Sequence, residues 1–241
     1  MKILALDTSN RPLSVAILDD GQLLAMTTTN IRKNHSIQLQ PIIETLVKQV
    51  GLKMQDFKRI VVADGPGSYT GLRIATTTAK TLAYTLNIDL VAVSSLRTLA
   101  ANVGDEDRLI VPLFDARREN VFAGIYQQTA DGLVAVLEDQ HLAIKELAAK
   151  LLEMHKPVWF VGQDVSVYAA FLQDQLGPYF HQVSDAMNLP NAYVLGKLGL
   201  HAEPVAHPFN FVPRYLRLTE AEVEWKKRHP QEETKPYVER N

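Results

Sequence analysis

Apolar positions change period repeatedly along the chain, and each change marks an element. Ile3 to Leu6, Leu13 to Leu18 and Leu23 to Thr29 are short apolar or alternating runs of strand type. Asp19-Asp20-Gly21 supplies the hairpin turn between the last two. From His35 to Val50 the period becomes helical, with Leu39, Ile42, Ile43, Leu46, Val47 and Val50 recurring, and Gly51 is a natural stop. Pro41 lies inside this helix, where its ring can bend the first turn. Ile60 to Ala63 is a β-branched strand, broken by the Gly65-Pro66-Gly67 turn. Ser68 or Thr70 then caps a helix that runs on from Leu72. Leu90 to Val93 predicts another strand, and Ser94-Ser95 caps a short helix through Leu99-Ala100-Ala101.

The second half repeats this order. Leu109 to Phe114, Val121 to Tyr126 and Leu133 to Leu137 predict strands, with Asp131-Gly132 as the matching turn. Ile144 to Glu153 predicts a helix, Val158 to Val161 a strand ending at Gly162, and Val165 to Gln175 a helix. The result is βββαβα twice, an α/β architecture with antiparallel hairpins leading each sheet. The polar stretch Gly104-Asp105-Glu106-Asp107 divides an N-terminal lobe (1–104) from a shorter, reduced C-terminal lobe (105–218). Beyond Gly177-Pro178 the pattern weakens to a short helix, Ala192 to Gly199, and a proline-punctuated strap from His207 to Pro213. Residues 219–241 are a charged tail of alternating sign, read as a solvated helix over Glu220 to Arg228 and a mobile end.

The helix after the glycine turn carries two stripes. Leu72, Ala75, Ala79, Leu82, Ala83 and Leu86 suit a sheet, whereas Ile74, Thr77, Thr78, Thr81 and Thr85 lie on another side. Arg73 and Lys80 are its only charges, although a helix covered on one side should be charged on the other. Two covered sides are expected, the second against a helix or another chain. The helix from His35 also has a broad apolar arc, on which Leu39, Ile43 and Val47 are expected to turn away from the sheet. Together the two helices would present one joint patch.

Composition narrows the chemistry. Net charge is −2 over 241 residues, which gives no field for gripping nucleic acid unaided. There is no cysteine, so disulfides, thiolate chemistry and cysteine-based zinc sites are excluded. The N-terminus runs straight into a strand without a signal-peptide core, and no apolar run reaches membrane-spanning length, so a cytoplasmic protein is expected. None of the seven histidines forms an H-x-x-x-H or H-E-x-x-H pair, and no serine has a G-x-S-x-G context. His35, at a helix start, caps it or meets a partner. The strand, glycine turn and helix N-terminus make a plausible anion cradle, although Gly65, Gly67 and Gly71 fit neither standard phosphate spacing. Asp7 and Asp115, at equivalent strand ends, are placed to face each other across a cleft. Arg117 and Arg118 suit an anion or a partner carboxylate as well as they suit a solvated hairpin.

The duplicated lobe with Asp7-Thr8-Ser9 ending its first strand resembles the actin, hexokinase and Hsp70 (ASKHA, RNase H-like) superfamily. Leu4-Ala5-Leu6-Asp7-Thr8-Ser9, His35-Ser36, Gly65-Pro66-Gly67-Ser68-Tyr69-Thr70-Gly71-Leu72-Arg73, Asp115-Ala116-Arg117-Arg118 and Tyr215-Leu216-Arg217 resemble one family within it, TsaB, also called YeaZ. The resemblance runs from Met1 to about Arg217. It implies a partner subunit of a TsaD-type transferase, which attaches a threonylcarbamoyl group to the adenosine beside the tRNA anticodon. It also implies a joint helix-pair interface through His35, Leu39, Ile43, Val47, Ile74, Thr77, Thr78, Thr81 and Thr85. Where the TsaD paralogue carries two metal-binding histidines, this chain has Ser95 and Leu99, so no intrinsic metal or catalytic residue is expected. Candidate anion or nucleotide contacts are Asp7, Thr8, Gly65, Gly67, Ser68, Arg73 and Arg117, with ATP or ADP at an interface of the complex. Further expected partners are a TsaE-like ATPase, a TsaC-like adenylate-forming enzyme, tRNA only within the complex, and a second copy of the chain in isolation. Two other readings remain: an independent ASKHA-type small-molecule kinase or ATPase, and a metal-dependent peptidase of the glycoprotease type.

Overall fold

β-branched and apolar runs in the first hundred residues assemble into one sheet, and those in the next eighty into another. A computed structural model describes residues 1–31, 34–105, 107–217 and 228. In chain order the elements are β1 (Lys2–Asp7), β2 (Leu13–Asp19), β3 (Gln22–Thr29), α1 (His35–Gln49), β4 (Arg59–Ala63), α2 (Tyr69–Leu86), β5 (Asp89–Val93) and α3 (Ser95–Ala100). There follow β6 (Leu109–Asp115), β7 (Asn120–Thr129), β8 (Gly132–Ala143), α4 (Ile144–Glu153), β9 (Val158–Val161), α5 (Val165–Leu176), β10 (Phe180–Gln182) and α6 (Ala192–Gly199). The sheets have the orders β3-β2-β1-β4-β5 and β10-β9-β6-β7-β8. In each, a leading antiparallel hairpin joins parallel strands through the first strand, as β1 pairs antiparallel with β2 and parallel with β4.

Both sheets are covered on two faces. On one face of the first, Leu39, Ile43, Ala75 and Ala79 of α1 and α2 pack against Leu4, Leu6, Val15 and Ile60. On the corresponding face of the second, α4 and α5 place Leu147, Leu151 and Leu172 over Leu109, Val111 and Ile125. The remaining faces are covered crosswise. Leu96, Leu99 and Ala100 of α3, from the first half, pack on Ile110, Phe114 and Tyr126 of the second sheet. Ala192 and Leu195 of α6, from the second half, pack on Ile3, Ala5 and Val61 of the first.

A division at 104 therefore assigns α6 and the strap to the wrong sheet. Local periodicity registers a helix and its apolar face but not which distant sheet receives it. One visible lock is Arg59 on β4, whose guanidinium donates to the carbonyls of Gly199, Leu200 and Ala202 at 2.8–3.1 Å and to Asp89 at 2.9 Å. It thus satisfies the carbonyl end of α6 with a cation placed where the helix dipole favours one. The reduction of the second lobe falls on its outer helices, 10 and 12 residues against 15 and 18, while its sheet keeps five strands. The charged tail and its expected helix lie outside the described residues, Arg228 apart.

Candidate functional site

The turn from Gly65 to Gly71 is built by close backbone approach. A Cβ on Gly67 would lie 2.1 Å from the Ser9 carbonyl oxygen, and one on Gly71 2.0 Å from that of Thr8. Three of the backbone donors in this stretch are engaged within the chain. Ser68 N–H donates to Ser9 O at 2.7 Å, Gly65 N–H to Ser95 Oγ at 3.1 Å, and Gly71 N–H to the capping Ser68 Oγ at 3.3 Å. Thr8 Oγ1 donates to Gly71 O at 2.7 Å. The β1–β2 turn thus sits against the glycine stretch, and Thr8, Gly65, Gly67 and Ser68 serve as contacts within the fold.

Asp7 is sealed. It is 1% exposed; its Oδ1 accepts from Ser9 N–H at 2.8 Å, and its Oδ2 is buried without a partner. Burial holds its carboxyl above the usual range, an effect that the Ser9 hydrogen bond opposes. Asp7 shares a cavity of about 10 Å³ with Ser9, Ser95, Leu99, Phe114 and Asn188. Ser95 and Leu99, the positions where the resemblance would put metal ligands of the paralogue, do converge with Asp7. One carboxylate beside hydroxyls and a leucine is not a donor set for zinc or iron, and the space is that of about one water molecule.

Asp115, by contrast, is exposed, and its carboxylate accepts from Arg117 N–H at 2.9 Å and Tyr168 Oη at 2.7 Å. The two strand ends meet not through paired carboxylates but through Asp164, which accepts from Asn10 Nδ2 at 3.4 Å and Asp115 N–H at 3.0 Å. The expectation that Asp7 and Asp115 face each other across an open cleft is not met, because the β1–β2 turn closes over Asp7. An open cleft of about 490 Å³ does lie beside them, lined by Ser68, Tyr69, Asp115, Arg117, Tyr215 and Arg217 among others. Arg117 reaches it from a tight turn in which Arg117, Arg118 and Glu119 all have positive φ. Arg73 is placed elsewhere, on the outer side of α2, where it donates to Tyr69 Oη at 2.7 Å and lies over its ring.

Behind the glycine turn lies a polar junction that periodicity could not reveal. Asp139 of β8, its side chain 1% exposed, accepts from Tyr126 Oη, Ser94 Oγ and Arg214 Nη2, the last at 2.6 Å. Arg214 also donates to Gly65 O at 3.0 Å, and its backbone N–H to Asp64 O at 2.8 Å. Elements of both halves and the strap are therefore tied at one carboxylate. Burial drives the neighbouring Asp64 carboxyl up to about 6, with Arg214 opposing and Asp139 adding to the rise.

The helix faces divide in a way the sequence did not show. Leu39, Ile43 and Val47 of α1 are buried against their own sheet and are not part of an outward patch. A helical period reports an apolar arc without saying which way it points, and here the sheet takes it. His35 is half-buried and pairs through Nε2 with Asn10 O at 3.0 Å, tying α1 to the β1–β2 turn. On α2, Ile74 packs partly on the same core and Thr78 is half-buried, while Thr77, Thr81 and Thr85 are exposed. The exposed rings of Tyr84 and Phe209 and those of Tyr69 and Tyr215, beside this stripe, were not anticipated. For Phe209 and Tyr215 the signal was aromatic residues in or beside a proline-rich strap that had no core period to satisfy; Tyr69 and Tyr84 lie on α2, off its sheet-facing stripe.

Among the described residues no helix is long and apolar enough to cross a membrane. Residues 22–225 match the family profile described as TsaD, tRNA N6-adenosine threonylcarbamoyltransferase. The chain is 43% identical over 225 residues to the tRNA threonylcarbamoyladenosine biosynthesis protein TsaB of Bacillus subtilis, covering 93% of this chain and 98% of that one. Its structure is similar to YeaZ from Pseudomonas aeruginosa, with a TM-score of 0.76 at 26% identity, over 89% of this chain and 99% of the other. The ethanolamine utilization protein EutJ of Carboxydothermus hydrogenoformans shares the fold, at a TM-score of 0.50 and 13% identity over 83% of this chain and 90% of that one.

Proposed function

The chain belongs to the TsaB family of tRNA threonylcarbamoyladenosine biosynthesis proteins, and on that premise we propose that it is the non-catalytic partner subunit of a TsaD-type transferase. In this reading the partner moves the threonylcarbamoyl group onto N6 of the adenosine next to the anticodon, in tRNAs that read codons starting with A. The present chain supplies a docking face and no reacting group. The observation that carries the reading is the outer side of α2, 18 residues long with Arg73 and Lys80 as its only charges and with Thr77, Thr81 and Thr85 exposed. Short side chains let a second helix approach closely, and an acid-free, weakly charged face is easily desolvated.

The same reading assigns no metal or cofactor to this chain, since Asp7 is sealed and stands with Ser95 and Leu99. Nucleotide is placed at an interface of the assembled complex with the TsaE-like ATPase, tRNA is bound there rather than by this chain alone, and the TsaC-like enzyme supplies the activated group. Without its partner the chain pairs with a second copy through the same helix face, in the cytoplasm. An independent small-molecule kinase would need the carboxylate that ends its first strand to be accessible, and Asp7 is 1% exposed. The test is a transfer assay on tRNA with each subunit omitted in turn. Modification that needs both this chain and the TsaD-type partner, with neither active alone, is the expected result. Transfer to tRNA by the partner at full rate without this chain would refute the assignment.

A further inference from the structure

The strap and the residues flanking it, 204–217 together and called the strap from here on, are held down by buried contacts and yet show large rings to solvent. Val205 N–H donates to Leu90 O at 2.7 Å, Lys80 Nζ to Phe211 O at 2.8 Å, and Arg214 N–H to Asp64 O at 2.8 Å. Val205 and Phe211 pack into the core beneath α2. Their neighbours point the other way: Phe209 is 74% exposed and Val212 60%. Phe209 meets the 72%-exposed Tyr84 with ring centroids 6.2 Å apart, and Lys80 Nζ lies 5.9 Å over the Phe209 ring. At the other end of α2, Tyr215 meets Tyr69 at 5.0 Å, and the Arg73 guanidinium lies 5.3 Å over Tyr69. The helix therefore has an aromatic–cation cluster near each end, about 22 Å apart along its axis by the helical rise. Among the described residues, large exposed apolar groups lie beside one another here, and such groups mark an interaction surface.

Charge selects the occupant. Helix α2 and residues 204–217 contain Arg73, Lys80, Arg214 and Arg217 and not one aspartate or glutamate. Arg214 is turned inward to Asp139, and Arg217 donates to Ala116 O. Arg73 and Lys80 remain on the outer face, seven residues or about 10 Å apart, and each has more donors than its one intramolecular acceptor uses. Two isolated cations with apolar rings between rigid anchors suit a protein helix better than a nucleic-acid backbone, which calls for a denser basic track.

We propose that the strap completes the docking face, with its two aromatic–cation clusters gripping a partner helix that carries carboxylates two turns apart, at i and i+7, opposite Arg73 and Lys80. This rests on the docking reading above and adds to it the strap, the two anchors and the charge pattern of the partner. The rings are held in place before binding, so little ordering is lost when the partner arrives. Tyrosine, arginine and other large side chains near a desolvated centre are the groups that dominate such interfaces.

Calorimetric titration with the cognate TsaD-family transferase tests it. Phe209→Ala and Tyr84→Ala should each weaken binding about tenfold or more, with melting temperatures little changed because both rings are exposed. Lys80→Glu should weaken it more strongly, with some loss of melting temperature because Lys80 is half-buried and its Nζ bonds Phe211 O. A Glu→Lys or Asp→Lys change at one position of the partner helix should restore binding to Lys80→Glu. Affinities within twofold of the parent for all three variants, while Thr81→Arg abolishes binding, would overturn the strap and leave the helix face standing. Weakened binding by Phe209→Ala with Thr81→Arg unaffected would support the strap and remove the helix face. A fall in tRNA affinity of the assembled complex at unchanged transferase affinity would mark the strap as a nucleic-acid surface and overturn the proposal.

Discussion

The two outer helix pairs do the same structural task, yet α4 and α2 finish their other sides in opposite ways. Each covers one face of a five-stranded sheet with leucines, isoleucines, valines and alanines, and on that side the pairs are interchangeable in kind. Their other sides differ. In only ten residues α4 carries Lys145, Glu146, Lys150 and Glu153, with Lys150 paired to Glu146 at 3.4 Å and Lys145 to Glu119 at 3.6 Å. That is how a helix facing water is made. Across 18 residues α2 has two charges, a threonine stripe, and a strap with exposed rings along one side. The fold requires only the buried side; sparse charge is shared by α5, which carries Asp174 alone, so what sets α2 apart is the threonine stripe and the exposed rings beside it.

The comparison can be broken most severely at the anchor of the strap, which only the first pair possesses. Arg214→Met removes the cation held 2.6 Å from Asp139, whose side chain is 1% exposed. Leaving that carboxylate unpaired should cost about 3–5 kcal/mol, read as a lower midpoint in urea unfolding. Next, Thr81→Arg puts a long cation on the outer face of α2. It should weaken transferase binding by about a hundredfold or more, through an unpaired buried charge, with the unfolding midpoint unchanged. Asp64→Asn has a smaller effect with a pH signature. The folded carboxyl titrates at about 6 against 3.8 unfolded, so its contribution is most favourable below pH 3.8 and is lost as pH rises through 6. At pH 8 the substitution should stabilise by up to about 3 kcal/mol, the linkage limit for that difference, and much of the gain should vanish at pH 4. An unchanged pH profile would contradict the burial of Asp64. Smallest of all is Lys150→Ala on α4, expected to alter stability by about 0.5 kcal/mol or less and to leave transferase affinity untouched. A measurable loss of affinity there would erase the contrast between the pairs.

Much of this was legible in the residues. Strand and helix identities follow from period alone: Ile144 to Glu153, Val158 to Val161 and Ala192 to Gly199 coincide with the observed elements. The short strand β10 has too few residues to show a period. The sparse charge on α2 was equally plain. What could not be read is direction and distance. Leu39, Ile43 and Val47 make an apolar arc whose facing is decided by the sheet, and nothing within α1 specifies it. Asp139, Tyr126, Ser94 and Arg214 are separated by up to 120 positions (214 − 94) and belong to no motif, yet they share one carboxylate. The glycine turn looked like a phosphate cradle because a turn that approaches another backbone closely needs the same small residues as one that approaches an anion.

The crosswise placement of α3 and α6 bears on the order in which the chain can mature on the ribosome. Once β5 has emerged at Val93, the first sheet has all its strands and its α1–α2 covering, but Ile3, Ala5 and Val61 on the reverse still lack Ala192 and Leu195. Roughly a hundred residues separate these events, which at typical elongation rates of about 5–20 residues per second is a wait of about 5–20 s. During that interval the nascent first half presents an uncovered apolar sheet, a natural substrate for a holdase, and neither half is a unit that closes without the other.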